Sequence, residues 1–281
     1  MATGRTGRPE APTVLARKAF AELLGSLLLA ATVVGSGIAA QRLSPSDVGL
    51  QLLENALITG AALVALILAL GPVSAAFNPV VTLAERAFGA VDTAATAVLI
   101  AAQVTGCCMG VVLANLMFDL DPVTWSTHHR SSGGLWLGEV VATFGLLVVV
   151  FGVVRSGRAG QVGYAVGGYI TAAYWFTSST SFANPAITVG RALTDTFAGI
   201  APVSVAMFIL MQLLGGALAV GAVALLYPDA RHVAKNLAEG SEATSRPLAG
   251  HPSTQAPGEP AGHDPNASRS PRSQPEQGAR P

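Results

Sequence analysis

The sequence predicts an all-α membrane protein with six transmembrane helices and two re-entrant half-helices in an inverted 3+3 repeat. Three observations carry this. Of 281 residues, 51% are hydrophobic and only 11% charged, less than half the charge of a soluble domain. Apolar runs long enough to cross a bilayer, at about 20 residues each, follow one another along most of the chain. A short hydrophilic signature, Phe77-Asn78-Pro79-Val80-Val81-Thr82, returns as Ala183-Asn184-Pro185-Ala186-Ile187-Thr188 inside this apolar setting.

The spans fall near Ala19–Ala40, Val48–Leu70, Thr93–Phe118, Leu135–Val154, Val162–Phe176 and Ala201–Tyr227. The fifth is short and rich in glycine. Each Asn-Pro pair reads as a helix start, because Asn caps and Pro fills the first helical position, where no N–H is needed. Both pairs are preceded by polar loop residues and followed by short apolar runs. They therefore predict half-helices beginning in mid-membrane, where free N–H groups require a wet path or partners. Three spans and a half-helix, repeated, require the second copy to insert in the opposite sense. The halves echo each other. Glu22 opens span one and Glu139 span four; Gln103-Val104-Thr105-Gly106 lies in span three and Gln212-Leu213-Leu214-Gly215 in span six.

Residues 1–16 and 228–281 are poor in bulky apolar side chains and are expected to be disordered. The membrane domain then covers 17–227, with repeat one at 17–118 and repeat two at 133–227. Net charge is zero, which argues against a nucleic-acid partner. The apolar run after Lys18 is read as a span and not as a cleavable leader. Basic residues concentrate on one side (Arg5, Arg8, Arg17, Lys18, Arg86, Arg155, Arg158, Arg231, Lys235), predicting cytoplasmic termini in an inner or plasma membrane. Arg42, Arg130 and Arg191 fall on the other side. Cys107 and Cys108 are helix neighbours pointing apart, unsuited to a bridge, and are expected to pack as small hydrophobes. Glu54 has no echo in span five; a lipid-facing or subunit-interface place is open for it.

The doubled Asn-Pro signature, the paired glutamates and the paired Gln-x-x-Gly resemble the major intrinsic protein (aquaporin and glycerol facilitator) family over about 17–227. The resemblance implies half-helices that meet at the pore centre, with the Asn78 and Asn184 amides as donors to the solute. It implies pore motifs Asn78-Pro79-Val80 and Asn184-Pro185-Ala186, and a homotetramer with one pore per subunit. Opposed half-helix ends, each carrying roughly half a positive charge, would repel cations. Glu22 and Glu139 are expected to support the loops leading into the half-helices; a proton-coupling role is the rival reading.

The chain departs from the family pattern. Members selective for water or glycerol carry Arg directly after the second Asn-Pro-Ala; here Ile187 stands there, and Arg191, four residues on, is read as a surface or interface residue at the helix end. Counting from the motifs places the rest of the filter on Thr59, on Ala172 or Thr171, and on Ser181 or Thr180. None of His128, His129, His232, His251 and His263 lies in a span. The expected ring is thus wide, neutral and hydroxylated. Before the first motif, Val73-Ser74-Ala75-Ala76 lacks the family's His, and Val80 replaces its Ala.

These features predict a passive channel for small uncharged solutes, with the lipid bilayer and a homotetramer as its setting. The run Thr177-Ser178-Ser179-Thr180-Ser181-Phe182-Ala183-Asn184-Pro185-Ala186 and the missing filter Arg resemble bacterial members linked to arsenic handling. That suggests metalloid acids (arsenite or methylated arsenicals) and glycerol-like solutes, with water also passing. A plain water channel is the alternative, and a coupled secondary transporter a weaker one, since no unpaired Asp, Lys or His marks an ion site in the spans. No metal-ligand cluster, cofactor site or nucleophile–base pair points to an enzyme.

Overall fold

The computed structural model describes residues 12–228. Among them all regular structure is helical: α1 (Pro12–Leu43), α2 (Val48–Leu70), α3 (Pro79–Ala87), α4 (Thr93–Met117), α5 (Gly133–Arg155), α6 (Val162–Phe176), α7 (Pro185–Gly190) and α8 (Pro202–Leu226). Short 3-10 turns follow α5 and α7. Five of these helices are long and apolar enough to cross a membrane; α6, at 15 residues, is the short span. The chain start is corrected in one respect. Residues 12–16, expected in the disordered arm, are helical, because Pro12 sits at a helix start, where its fixed φ suits the helix. The expectations for 1–11 and for the tail beyond Pro228 lie outside the described residues.

The starts are capped by side chains the sequence supplies. Asp47, Asp92 and Ser132 accept from the N–H groups of Leu50, Ala95 and Leu135, satisfying donors that would otherwise be orphaned. Asn78 and Asn184 do the same for the half-helices α3 and α7.

Packing follows the repeat. Helix α1 lies on α4 as α5 lies on α8, and α2 meets its counterpart α6. The half-helices cross over: α3 packs on α4, α8 and α5, while α7 packs on α8, α4 and α1. The close pairs depend on glycine. A Cβ on Gly106 would strike the Leu23 carbonyl of α1, and one on Gly215 would lie 2.5 Å from the Val140 carbonyl of α5. Membrane helices lack a hydrophobic drive toward each other, and small residues let backbones approach and gain dispersion contact. Outward faces carry exposed apolar side chains such as Leu57, Met109, Leu137 and Leu218, as lipid contact requires. Cys107 is buried with its thiol near the Ser26 carbonyl, and Cys108 is half-buried; both are free. Glu54 is half-buried on α2 and accepts from the Ser44 hydroxyl at 2.9 Å.

Candidate channel and filter

Both glutamates of the repeat are fully buried, and each organises the loop ahead of a half-helix. Glu22 accepts from Ala76 N (2.8 Å), Phe77 N (2.7 Å) and the Gln103 amide (2.8 Å). Glu139 accepts from Phe182 N and Ala183 N, both at 2.9 Å, and from Gln212 at 2.6 Å. The same glutamines donate to Thr82 and Thr188 on the half-helices. These carboxylates hold backbone in an unfavourable region at Phe77 (φ +46°) and Ala183 (φ +50°), and the loop before α7 also carries φ of +60° at Thr180 and +51° at Ser181. Left-handed geometry costs about 1–3 kcal/mol per non-glycine residue, and charge-assisted hydrogen bonds of about 1.5–3 kcal/mol each offset it. With the N–H edge tied to a carboxylate, the carbonyl edge is left to face the other way.

The half-helices meet through their caps. The Asn78 side-chain N donates to the Ala183 carbonyl and the Asn184 side-chain N to the Phe77 carbonyl, each at 2.7 Å. Each amide spends one N–H on the opposite repeat; a second N–H remains on each nitrogen. Pro79, Val80, Pro185 and Ala186 are buried in the starts of α3 and α7.

A cavity of about 630 Å³ passes these amides. At one end it is lined by Lys18, Pro72, Glu85 and Val154, at its middle by Asn78 and Asn184, and at the other end by Thr59, Tyr174, Ser181, Ile187 and Arg191. Thr59, Ser181 and Ile187 thus line it, as the motif count expects. The Ser181 hydroxyl has no protein partner among the described residues.

The α6 position differs from the expectation. Ala172 is exposed. Thr171 turns toward α2, its hydroxyl donating to Gly167 O at 2.8 Å and to Ala56 O at 3.4 Å. The lining stripe of α6 is Gly163, Val166, Ile170 and Tyr174, whose steps of three and four residues keep one helical face. Thr171 and Ala172 lie off that face. Tyr174 is buried, its hydroxyl 3.4 Å from the Thr59 hydroxyl. Thr180 is half-buried and does not line the cavity.

Arg191 is the larger correction. It is not a surface residue but 3% exposed. Its Nε donates to the Ala198 carbonyl, and its Cζ lies 3.4 Å from the Phe182 ring centroid. Ile187 and Arg191 stand four apart, and side chains on a helix tilt toward its N-terminus, so a long side chain one turn later reaches back to the same level. The lining at this end of the cavity therefore includes a cation and an aromatic residue, Tyr174, where a neutral and open ring was expected.

The segment 119–132 straps this end. Thr124 N and Ser126 N donate to Leu193 O and Ala192 O, each at 3.1 Å, and His128 O accepts from Ala201 N at 2.8 Å. Asp195 accepts from Thr127 N at 2.8 Å and lies 3.7 Å from His128 Nε2. The Thr127 N–H holds the Asp195 carboxyl below the usual carboxylate range.

Two opposed half-helices about one cavity, enclosed by apolar spans, define a multi-pass membrane channel. The chain belongs to the major intrinsic protein family, whose profile matches residues 11–177. Its members are channels and not enzymes. It is 45% identical over 220 residues to the aquaglyceroporin AqpS of Rhizobium meliloti (strain 1021), a match covering 78% of this chain and 94% of that protein. Its fold is similar to the X-ray structure of the aquaglyceroporin from Plasmodium falciparum, with TM-score 0.62, 20% identity, and coverage of 77% of this chain and 98% of the other.

Proposed function

We propose that this protein passes glycerol-like solutes and neutral metalloid acids, arsenite or methylated arsenicals, passively down their gradients. The observation that carries the reading is one cavity lined by both Asn-Pro caps and by Thr59, Tyr174, Ser181, Ile187 and Arg191, which we take as its filter. That filter offers hydroxyl and guanidinium donors against an aliphatic wall, which suits solutes with several oxygens and an uncharged body. Asn78 and Asn184 are the central donors, and Glu22 and Glu139 hold the loops that lead into the half-helices. The similar bacterial protein AqpS, an aquaglyceroporin by name, supports the glycerol-like part of this reading. The basic residues at the α1 start and α5 end support cytoplasmic termini, and the bacterial relative supports an inner-membrane setting. A homotetramer is the assembly proposed.

The second reading, a plain water channel, is favoured by Arg191 and Tyr174, which narrow the ring. One experiment separates the readings: light-scattering permeability of proteoliposomes to water, glycerol, arsenous acid and a methylated arsenical, with no ion gradient. Flux of glycerol or a metalloid acid well above empty vesicles supports the proposal. Water flux alone supports the second reading. Solute flux that requires an ion gradient would make the protein a coupled transporter.

A further inference from the structure

Arg191 does not stand alone at its end of the cavity. Arg130, on the strap, also lies over the Phe182 ring, its Cζ 5.0 Å from the centroid. Its Nε donates to the Gly199 carbonyl at 3.0 Å, while the Arg191 Nε is held by the preceding carbonyl, Ala198. The backbone N–H of Arg130 is fixed by the Ser204 hydroxyl at 3.0 Å. Two guanidinium groups are thus held by consecutive carbonyls of one segment and share one aromatic ring, and their charges repel.

No carboxylate among the described residues forms an ion pair with either. The Glu139 oxygens accept from Phe182 N, Ala183 N and Gln212. Asp195 is engaged by Thr127 and His128. Beyond each Nε, neither guanidinium donates a hydrogen bond to a described residue. A guanidinium carries five N–H donors in a fork that fits two oxygens of a planar acid. A buried charge without a partner is costly, and Arg191 is 97% removed from solvent while lining the cavity. The buried Glu139 carboxylate favours both charges but makes no hydrogen bond to either guanidinium, so their remaining N–H groups are the donors that an oxyanion at this end of the cavity would meet.

We infer that the Arg130–Arg191 pair forms a binding site for small monovalent oxyanions, the conjugate bases of weak acids, at the strap end of the channel. The inference rests on the channel reading, which it deepens. The site would gather the anion beside the filter, while the half-helix region passes only the neutral acid, formed when the anion takes a proton from water and leaves hydroxide in the solvent on the side of entry. Solute oxygens of a neutral acid use the same donors more weakly.

The test is a titration of the purified full-length protein in detergent with sodium formate at constant ionic strength, read by calorimetry. Inorganic phosphate, larger and more highly charged, is the second probe. Formate should bind saturably, and Arg130→Gln should weaken it about tenfold or more, as expected for the loss of charge-assisted hydrogen bonds. Arg130→Lys, which keeps the charge without the fork, should fall between, and it serves if the Gln variant does not fold. Binding of phosphate as tight as formate would show that the pair recognises charge alone, overturning the assignment to small monovalent acids. Absence of formate binding by the parent, or equal affinity in parent and Arg130 variants, would overturn the site. Glycerol flux without formate, measured on the same preparations, tests the channel reading separately, since binding in detergent does not depend on conduction.

Discussion

Replacing Arg191 tests the filter most directly. The side chain is 3% exposed, and its guanidinium lies against Phe182 beside the cavity. A monovalent cation passing at about 4 Å meets roughly 4 kcal/mol of repulsion at an effective dielectric constant of about 20. That corresponds to about a thousandfold exclusion. Arg130 and the half-helix ends remain in Arg191→Leu, so the cation and proton leak should rise by about a hundredfold and not by the full amount. The assay is dye-reported proton entry into proteoliposomes under a potassium diffusion potential, with glycerol permeability measured in parallel at equal protein density. Glycerol permeability should change far less than the leak, because a neutral solute does not meet the Coulomb barrier. Arg191→Lys keeps the charge and should keep the leak low. An Arg191→Leu channel that folds, conducts glycerol and shows no added leak would mean that the guanidinium does not face the conduction path.

Glu139→Gln leaves one oxygen for three donors and turns an NH2 toward a backbone N–H. With two charge-assisted bonds worth about 1.5–3 kcal/mol each at stake, the melting transition in detergent should fall and glycerol flux with it; an unchanged transition would remove Glu139 from its supporting role. Gly106→Val should prevent stable folding, since its Cβ would meet the Leu23 carbonyl, whereas Gly168→Ala, with nothing within 4 Å, should be silent; quantifying monodisperse protein after extraction compares the two. Asp195 has a carboxyl held below its ordinary value by Thr127, so its hold on the strap is complete above that value and is lost only as pH falls through the depressed one. Protease nicking of 119–132 should be flat from neutral to mildly acidic pH in the parent and raised throughout in Asp195→Asn.

Much of this arrangement was legible in the sequence. Apolar length and the Asn-Pro pairs place every span and both half-helices, with boundaries shifted by at most three residues except at the start of α1, which begins at Pro12 and not at Ala19. The glutamates were legible as loop supports because each recurs at the matching place in the other half, whereas the glutamines were legible only as an echo, and their donation to Glu22 and Glu139 comes from the fold. The cavity lining was legible only in part. Thr59, Ser181 and Ile187 follow from motif spacing. Tyr174 does not, since choosing it over Thr171 and Ala172 requires the rotation of α6 against α2, which Gly60 and Gly167 set by close approach. Arg191 lies one turn beyond Ile187, and that turn brings its guanidinium back to the same level because helical side chains tilt toward the N-terminus. The helical rule that a residue four later shares the face of Ile187 was the available signal. Arg130 was unreadable at this level, since only the fold of the strap brings it to Phe182.

The crossed caps carry a consequence for how the protein is made. Asn78 reaches a carbonyl of the second repeat, and Asn184 one of the first. A nascent chain that has inserted α1 to α4 therefore holds an unanswered amide and carbonyl, since their partners lie in the second repeat. Completing the passage waits for the last third of translation, and the entry of both half-helices is a single closing event. The partly made protein has no finished conduit to leak ions during biogenesis. A chain divided within the strap should regain a working passage only when both fragments are expressed together.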